Sequence, residues 1–460
     1  MTDRYDLLIV GGGTGGYSAA FRARELGLSA AIIERDKLGG TCVHRGCIPT
    51  KSLLHTAELL EQTRQAGRFG IHADDARVDF EEVLKAKNEV VASIYQGLWE
   101  LVKGRQVDLI KGEGRLLAGD EVAVGTEQGV RRLGFKHLVL ATGSKPKIPP
   151  GVTVDGEVVI TSDHALNLES VPRSVIVLGG GYVGVEFASL WRSFGADVTL
   201  VEMEPALMGR EDAEITAALT RALEGRGIKL MLGSRVESVS RNGQLRVEVA
   251  TTAGTQVLRA EKMLVAVGRQ PVADGLREAG VKIGKQGAVV DSNLQTSRPR
   301  VYAVGDLLPT PQLAHAAFAE GIFVAEVISG LNPEPVDYNA VAHCVYSFPE
   351  MASVGLTEAA AGEKSQPVKI VRVPFKINSR ARIANEDIGE TKIVAEEGGR
   401  VLGIHMVGAK VTEMISEAML VIGWDAQADD VARFLHPHPT YSEAIGEASL
   451  KLAGKPLHLL

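Results

Sequence analysis

Residues 5–16 read Tyr-Asp-Leu-Leu-Ile-Val-Gly-Gly-Gly-Thr-Gly-Gly, a short apolar run that ends in a cluster of glycines. The apolar run predicts a buried strand of a parallel sheet. The glycines follow the spacing G-x-G-x-x-G, at Gly11, Gly13 and Gly16. Small residues at these places let the backbone approach a pyrophosphate that lies on the N-terminus of the next helix.

The residues that follow complete the pattern of a dinucleotide-binding unit. We expect a helix from Tyr17 to Leu26 and a second strand from Ser29 to Ile33, which ends in Glu34. A carboxylate at this point can accept hydrogen bonds from the ribose hydroxyls of a dinucleotide. Strand, glycines, helix, strand and acid together predict the unit far more strongly than the glycines alone.

The same unit recurs later in the chain. A strand is predicted over Ser174–Leu178, and another over Asp197–Val201 ends in Glu202. The glycine fingerprint between them lies at Gly179, Gly181 and Gly184. Both the first glycines and the two acids are 168 residues apart. This shared register predicts two dinucleotide domains rather than a coincidence of turn glycines.

Between the two units lies a close cysteine pair. Residues 39–51 read Gly-Gly-Thr-Cys-Val-His-Arg-Gly-Cys-Ile-Pro-Thr-Lys, with four residues between Cys42 and Cys47. Such a pair in an intracellular chain is usually metal-binding or redox-active. Zinc is disfavoured by the spacing and by the lack of a second Cys/His pair. Two buried thiols remain the simplest alternative. Cys344 has no close partner in the sequence and is expected to be a small buried hydrophobe.

Composition limits the function classes. A chain of 460 residues predicts two to four domains, and 45% hydrophobic with 23% charged residues is ordinary for a soluble globular protein. A net charge of −7 gives no basic footprint for nucleic acid or an anionic membrane. Three cysteines argue against a disulfide-built secreted fold. The first apolar run ends in glycines rather than continuing as a signal peptide, and no apolar stretch approaches membrane-spanning length, so a cytoplasmic protein is expected.

The cysteine stretch resembles the active-site signature of the flavoprotein disulfide reductases, the class I pyridine nucleotide-disulfide oxidoreductases, and the resemblance covers essentially the whole chain. It implies an α/β fold with two Rossmann-like domains for FAD and NAD and a C-terminal α+β dimerisation domain. The predicted ranges are 1–150 for the FAD-binding domain, 151–275 for the NAD-binding domain, 276–340 for a central segment that completes the FAD site, and 341–460 for the interface domain.

The resemblance also implies the catalytic residues. Cys42 and Cys47 would form a redox disulfide, with Cys42 exchanging with substrate and Cys47 nearer the flavin. His438 would be the base, oriented by Glu443 as a carboxylate orients a histidine in a triad. Thr440-x-x-Glu443 also reads as a helix capping box, and residue physics alone leaves the two roles open. His436 lies outside the motif and is the less favoured base.

The resemblance implies the nucleotide-binding residues as well. Lys51 and Glu186 would form an ion pair beside the flavin, although each could be a plain surface charge. Asp306 would hold the ribityl chain, although a helix N-cap fits it equally well. No metal site is predicted. The residues predicted to bind FAD are Gly11, Gly13, Gly16, Glu34, Lys51, Gly114, Thr142, Gly143, Ser144, Asp306, Ala314 and His315. The other residues predicted to bind a cofactor are Glu186 beside the flavin and, in and after the second unit, Gly179, Gly181, Gly184, Glu202, Val236 and Gly268.

Within the family, the match implies oxidation of protein-bound dihydrolipoyl groups with NAD as acceptor. The implied partners are a second copy of the chain and a lipoyl-bearing acyltransferase or H-protein of a multienzyme complex, with no nucleic acid or membrane. The enzyme alternative is an NADPH-dependent glutathione-like or mercuric reductase. Against it stand the lack of an N-terminal metal-binding extension or a C-terminal cysteine pair, and Ala444 after Glu443. A non-enzymatic FAD-binding protein is the alternative of another class.

Further expectations concern the backbone. Residues five apart in a regular helix are roughly 8–9 Å apart, beyond the about 6.8 Å that a disulfide tolerates, so the helix should be irregular around Gly46. His438–Pro439 is predicted to be cis. A long amphipathic helix is predicted from Phe80 to Val102, a short antiparallel excursion from Val107 to Phe135, and an antiparallel sheet with helices after about Asn339.

Overall fold

The computed structural model describes residues 4–73, 76–364 and 367–459. The chain packs into two compact units. The first comprises Met1–Ser52, Glu82–Lys147 and Arg269–Tyr338, and the second comprises Leu53–Glu81, Ile148–Gly268 and Asn339–Leu460. The four domain ranges predicted from the sequence are a different kind of division and stay predictions.

The strands, in chain order, are β1 Arg4–Val10, β2 Ala30–Glu34, β3 Asp108–Lys111, β4 Glu113–Leu116, β5 Glu121–Thr126, β6 Gly129–Leu140, β7 Ser144–Pro146, β8 Val159–Thr161, β9 Ser174–Leu178, β10 Asp197–Val201, β11 Lys229–Met231, β12 Arg235–Asn242, β13 Gln244–Thr251, β14 Gly254–Ala260, β15 Lys262–Val265, β16 Arg269–Pro271, β17 Val301–Ala303, β18 His343–Val345, β19 Glu350–Gly355, β20 Val368–Pro374, β21 Glu390–Glu396 and β22 Val401–Gly408.

The helices are α1 Thr14–Glu25, α2 Gly40–Arg45, α3 Cys47–Gln65, α4 Phe80–Gly104, α5 Ser162–Ala165, α6 Tyr182–Ser193, α7 Ala213–Gly225, α8 Ala314–Ile328, α9 Glu358–Glu363, α10 Ser379–Ala384, α11 Val411–Gly423, α12 Ala428–Ala432 and α13 Glu443–Leu452. Short 3₁₀ turns lie at Ala66–Phe69, Gly305–Leu307, Tyr338–Ala340 and Phe375–Ile377.

The first unit is built on a seven-stranded sheet of order β3-β2-β1-β6-β5-β4, with β17 paired to β6. β1 lies in the middle, parallel to β2 and β6. Its residues Leu7, Leu8 and Ile9 are fully buried, as a strand covered on both faces requires. Because the carboxyl ends of β1 and β2 meet at one sheet edge, the glycine turn after β1 and Glu34 lie at that edge.

The second unit repeats this arrangement in a five-stranded parallel sheet of order β11-β10-β9-β15-β8. β9 lies between β10 and β15, so the second glycine turn again leaves a central strand. A separate antiparallel sheet of order β12-β13-β14 covers part of this core. The predicted repetition of the dinucleotide unit is confirmed by the two sheets.

The C-terminal part of the second unit is an antiparallel sheet of order β18-β19-β22-β21-β20. Helices α11 and α13 pack on it around buried Ile404, Met406, Ile415 and Ile445. This is the predicted antiparallel sheet with helices. The fold class, two dinucleotide sheets followed by an α+β region, is as the sequence indicates.

Two local predictions need correction. Helix α1 begins at Thr14, three residues before the predicted start, because Gly15 and Gly16 already lie in its first turn. The span from Val107 to Phe135 is not purely an antiparallel excursion. Its first strand, β3, is parallel to β2 and extends the main sheet, and only β4 to β6 pair antiparallel. In the described part of the chain no helix is long and apolar enough to cross a membrane.

Candidate active site

The first glycine turn leaves little room for side chains at two of its glycines. Gly11 has φ +107°, and a Cβ there would lie 2.2 Å from the carbonyl oxygen of Ala141. A Cβ on Gly16 would lie 1.9 Å from the carbonyl oxygen of Gly11. Gly13 is the N-cap of α1 and has nothing within 4 Å of a built Cβ, so the space over the helix N-terminus is open. Open space, helix N-terminus and bare backbone together fit a pyrophosphate.

Glu34 braces this turn. Its Oε2 accepts a hydrogen bond from the backbone N–H of Gly12 at 2.7 Å, and its Oε1 accepts one from the N–H of Asp36 at 2.8 Å. The carboxylate is therefore fixed at the carboxyl end of β2, where a ribose would lie beside the pyrophosphate. Its predicted role in ribose binding stays a prediction.

A polar group lies beyond the same sheet edge. The hydroxyl of Ser144 donates to Asp306, and Arg269 Nε donates to Ser144 Oγ at 2.6 Å. Arg269 also lies 3.7 Å from the Asp306 carboxylate. Asp306 thus has a defined orientation in the 3₁₀ turn before α8. The sequence analysis predicted Ser144 and Asp306 but missed Arg269, although Gly268-Arg269 follows β15 just as Gly143-Ser144 follows β6.

The remaining residues predicted for FAD lie within the first unit. Gly114 on β4 packs against Val10, since a Cβ there would lie 3.2 Å from the Val10 side chain. Thr142 Oγ1 donates to the carbonyl of Val272 at 2.6 Å, and Gly143 has φ +69°. Ala314 and His315 are the first two residues of α8, with His315 exposed.

The cysteines lie on two helices separated by a break. α2 ends at Arg45, Gly46 has φ −147° and ψ −111°, and α3 begins at Cys47. The predicted irregularity at Gly46 is confirmed. The start of α2 touches the first glycine turn, because a Cβ on Gly40 would lie 2.9 Å from the Cα of Gly13. The cysteine pair is therefore built onto the dinucleotide cradle.

The two cysteines are present as thiols without a disulfide bond, so the predicted disulfide of the oxidised form stays a prediction. A hydrogen bond with Cys47, burial, and repulsion by Cys47 raise the pKa of the Cys42 thiol, while the charge of Lys51 acts in the opposite direction. The raised pKa favours the protonated form of the Cys42 thiol. No group of three or more His, Cys, Asp or Glu residues in the described ranges could hold a metal ion.

The second glycine turn reproduces the first. Gly179 has φ +110°, and a Cβ there would lie 2.4 Å from the carbonyl oxygen of Ala266. A Cβ on Gly184 would lie 1.9 Å from the carbonyl oxygen of Gly179. Gly181 is the N-cap of α6 and is open above, as Gly13 is. The second turn also fits a pyrophosphate.

Glu202 braces the second turn as Glu34 braces the first. It accepts hydrogen bonds from the backbone N–H of Gly180 and, at 2.8 Å, from that of Glu204. Glu186 is buried within α6 and accepts from the N–H of Tyr346 at 3.1 Å. Lys51 and Glu186 belong to different units, and their ion pair stays a prediction. Val236 lies on β12 against the core of this unit, and Gly268 has φ +108°.

A buried polar cluster that the sequence analysis missed holds the start of α6. The hydroxyl of Tyr182 donates to Glu211, and Nδ1 of His343 lies 2.7 Å from Glu211 Oε1. The hydroxyl of Ser353 donates to the other oxygen of Glu211. Burial raises the pKa of Glu211, but its bonds to His343, Ser353 and Tyr182 outweigh burial and lower that pKa to about 2. The members are far apart in sequence, so no local pattern reveals them.

The predicted contact between His438 and Glu443 is formed. His438 Nδ1 lies 2.8 Å from Glu443 Oε1, and the peptide bond to Pro439 is cis, as predicted. Glu443 Oε2 accepts from the backbone N–H of Thr440 at 2.8 Å. The Thr440 hydroxyl donates to Pro437 rather than to the helix, and the N-cap of α13 is Ser442. One hydrogen bond of the alternative capping box, from the Thr440 N–H to Glu443, is therefore formed, while the reciprocal bond to the Thr440 hydroxyl is not. Glu443 thus holds both the His438 ring and the backbone beside it.

Exposure separates the two candidate histidines. The side chain of His438 is 66% exposed, whereas that of His436 is 12% exposed and lies 2.7 Å from Glu417. The hydrogen bond with Glu417 raises the pKa of His436. His436 is tethered to α11, and His438 alone of the two presents a ring nitrogen to solvent.

Comparison with known proteins places the chain among flavoprotein reductases. The family described as pyridine nucleotide-disulphide oxidoreductase matches residues 5–321. The dimerisation domain of the same family matches residues 341–449.

Similar proteins span the full length of the chain. A dihydrolipoyl dehydrogenase of Bacillus subtilis is 40% identical over 473 aligned residues, covering 100% of both chains. A dihydrolipoyl dehydrogenase of Rhizobium etli is 38% identical, again covering 100% of both. Among solved structures, LpdA from Mycobacterium tuberculosis superposes with a TM-score of 0.90 at 25% identity, covering 98% of this chain and 100% of that one.

Proposed function

This chain belongs to the pyridine nucleotide-disulphide oxidoreductase family, and we propose that it oxidises protein-bound dihydrolipoyl groups to lipoyl groups with NAD as the electron acceptor. The observation that carries the proposal is the contact of Gly40 with Gly13, which joins the Cys42–Cys47 helix pair to the first dinucleotide cradle. The relatives named dihydrolipoyl dehydrogenase support this substrate over glutathione or mercuric ion.

In the proposed reaction, His438 Nε2 takes the proton of the first substrate thiol, and the substrate sulfur attacks Cys42. The Cys42–Cys47 bond breaks, and Cys47 leaves as a thiolate. His438 then gives this first proton to the Cys42 sulfur as the second substrate thiol displaces Cys42 from the mixed disulfide, and it takes the proton of that second thiol. The cyclic disulfide product leaves, and the two electrons stay on the protein as the Cys42 thiol and the Cys47 thiolate, with His438 protonated. Bound FAD supplies the chemistry that carries these two electrons to NAD.

The surroundings of Cys42 and His438 support the proton transfers in this reaction. The hydrogen bond with Cys47 and burial raise the pKa of the Cys42 thiol, which favours Cys42 as the sulfur that carries the proton. Glu443 accepts a hydrogen bond from His438 Nδ1, which leaves Nε2 as the free acceptor and stabilises the imidazolium formed after proton transfer.

NAD rather than NADP is the proposed acceptor. The carboxylate of Glu202 is fixed by two backbone N–H groups at the place of the ribose hydroxyls. Its negative charge would repel a 2′-phosphate, and the following Met203, Glu204 and Pro205 supply no arginine to bind one.

The proposed assembly is a homodimer, as the matched dimerisation domain supports. We propose that each active site takes its cysteines from one chain and His438 from the partner chain. The lipoyl group would come from an acyltransferase or H-protein of a multienzyme complex.

One steady-state comparison tests the function. Wild-type enzyme is assayed with dihydrolipoamide and NAD, and separately with oxidised glutathione and NADPH, beside Cys47→Ser and His438→Gln variants. We expect a kcat/KM for the first pair at least about 1,000-fold above the second, and both variants inactive toward dihydrolipoamide. Preference for glutathione and NADPH would favour the alternative reductase, and a yellow protein inactive in both assays would favour a non-enzymatic flavoprotein.

A further inference from the structure

We propose that Asn378 is a positioning residue for His438: its side-chain amide fixes the backbone of Thr440 and Tyr441, which connects the base to Glu443. The inference rests on the proposed function only in taking His438 as the base. Asn378 lies 62 residues before Thr440 in the sequence and belongs to the turn between β20 and α10.

The Asn378 amide is buried and fully used. The residue as a whole is 6% exposed. Nδ2 donates to the carbonyl oxygen of Thr440 at 3.0 Å and approaches that of Tyr441 at 3.4 Å. Oδ1 accepts from the backbone N–H of Ala381 at 3.0 Å. An amide offers two donor hydrogens and one acceptor oxygen, so each is committed here.

The same helix holds Tyr441 at two further points. The Tyr441 hydroxyl donates to Glu386 Oε2 at 2.6 Å, just after the end of α10. The guanidinium of Arg380 lies 5.8 Å from the centre of the Tyr441 ring. We call Asn378, Arg380 and Glu386 the α10 clamp. These three residues contact the segment that follows His438 from one side.

Within its own chain, the His438 ring is held at few points, so the backbone beside it must set its position. The side chain is 66% exposed and its only side-chain hydrogen bond among the described contacts is to Glu443. Thr440 is central to that geometry, since its N–H binds Glu443 while its hydroxyl binds Pro437. Releasing the Thr440 carbonyl from Asn378 would loosen the ring and its carboxylate together. Proton transfer requires the base within hydrogen-bond reach, and a displacement of about 1 Å costs roughly 100-fold.

Asn378 is also the N-cap of α10, and two substitutions separate the roles. Asn378→Asp and Asn378→Ser keep an oxygen that can cap the helix but remove the N–H donors to Thr440 and Tyr441. A matched control is Asn385→Gly at the other end of α10. Asn385 is exposed with φ 56°, a conformation that glycine adopts readily.

The experiment compares two reactions of the purified holoenzyme. Dihydrolipoamide oxidation by NAD needs the base, whereas reduction of ferricyanide by NADH needs the flavin and nicotinamide sites but no proton acceptor for a thiol. For both Asn378 variants we expect kcat with dihydrolipoamide to fall about 30- to 100-fold at pH 7, with ferricyanide reduction within about twofold of wild type. The deficit should shrink toward pH 9.5, because a substrate thiol that has already ionised needs no base. Asn385→Gly should match wild type in both.

The proposal is overturned if ferricyanide reduction falls in parallel with dihydrolipoamide oxidation, since Asn378 would then only maintain the fold. It is overturned too if neither reaction changes, or if the deficit is the same at pH 7 and pH 9.5. The wild-type arm tests the proposed function separately: a wild-type enzyme that does not oxidise dihydrolipoamide overturns that function and this inference with it.

Discussion

The two compact units carry the same glycine turn with different surroundings. Gly11 and Gly179 share positive φ angles of 107° and 110°, and the last glycine of each turn would place a Cβ 1.9 Å from a carbonyl oxygen. Two positions differ, and Thr14 of the first turn corresponds to Tyr182 of the second. Gly15 of the first turn corresponds to Val183 of the second. A Cβ on Gly15 would lie 2.9 Å from the Val304 side chain, because the chain after β17 packs directly on α1.

This difference indicates how one turn serves two purposes. In the first unit α8 also lies close over α1, since a Cβ on Gly321 would lie 2.1 Å from Ser18 Oγ. We expect that added layer to hold a resident nucleotide. In the second unit the helix starts with Tyr182, anchored to Glu211, and Val183 occupies the position that glycine takes in the first. We expect this turn to exchange its nucleotide at each turnover.

The largest expected effect is on catalytic activity, because the first unit carries the cysteines and the second carries His438. Cys47→Ser disables the first unit and His438→Ala disables the second, so each homodimer should be inactive. If sites are shared between chains, a mixed dimer has one site with both defects and one with none. Purified heterodimers should then recover about half of the wild-type activity.

The same experiment has a clear opposite outcome. If each chain uses its own histidine, every site in the mixed dimer carries one defect, and the heterodimer stays as inactive as its parents. Size-exclusion chromatography of each dimer and its flavin content provide the control that assembly is intact.

The next effect concerns the anchor that only the second turn has. Folding lowers the pKa of Glu211 from 4.5 to about 2. It therefore stabilises the fold above pH 4.5, and this contribution is lost as the pH falls from there toward 2. We expect Glu211→Gln to lower the free energy of unfolding by roughly 3 kcal/mol at pH 7. Urea unfolding at pH 7 and pH 3.5 should show that the difference in free energy of unfolding between variant and wild type is smaller at pH 3.5. A difference independent of pH would contradict this assignment.

Exchanging the differing residues tests the added layer. Gly15→Val should push Val304 and α8 away from α1, with an overpacking cost of about 1–3 kcal/mol and a matching loss of bound FAD after dialysis. Val183→Gly is the reciprocal variant, and it should cost about 1 kcal/mol of helix stability while leaving flavin content unchanged. Equal flavin loss in both variants would erase the distinction between the turns.

The smallest expected effect distinguishes the roles of Glu34 and Glu202 in nucleotide binding. Glutamine at residue 202 must direct its NH₂ toward one of two backbone N–H groups that the carboxylate now accepts from. We expect Glu202→Gln to raise the KM for NAD about tenfold and to narrow the preference over NADP, while Glu34→Gln alters flavin retention instead. Steady-state kinetics with both nucleotides measure it; a wild-type preference for NADP would refute the role of Glu202.

Local patterns in the sequence predicted much of this site. The glycine spacing predicted both turns because the first and last glycine of each cannot carry a Cβ. The predicted disulfide between residues five apart required the break found at Gly46. His438 and Glu443 are five residues apart, close enough for a motif to reveal their contact.

Contacts between distant segments escaped sequence analysis. Asn378 reaches Thr440 across 62 residues, and Glu211 reaches His343 across 132. Each looks like an ordinary turn or surface residue in its local sequence. The parallel pairing of β3 with β2 likewise cannot be predicted from the local sequence, because a four-residue strand carries no pattern that distinguishes parallel from antiparallel pairing.

The most direct test of the two-turn account is a pair of matched substitutions, Gly16→Ala and Gly184→Ala, each of which places a methyl group 1.9 Å from a carbonyl oxygen. After dialysis, FAD per chain and the rate of flavin reduction by NADH are measured for both. We expect Gly16→Ala to lose its flavin, whereas Gly184→Ala should keep about one FAD per chain and be reduced by NADH at least about 100-fold more slowly than wild type. Flavin loss from Gly184→Ala, or a fully flavinated Gly16→Ala that NADH no longer reduces, would contradict the assignment of the two turns.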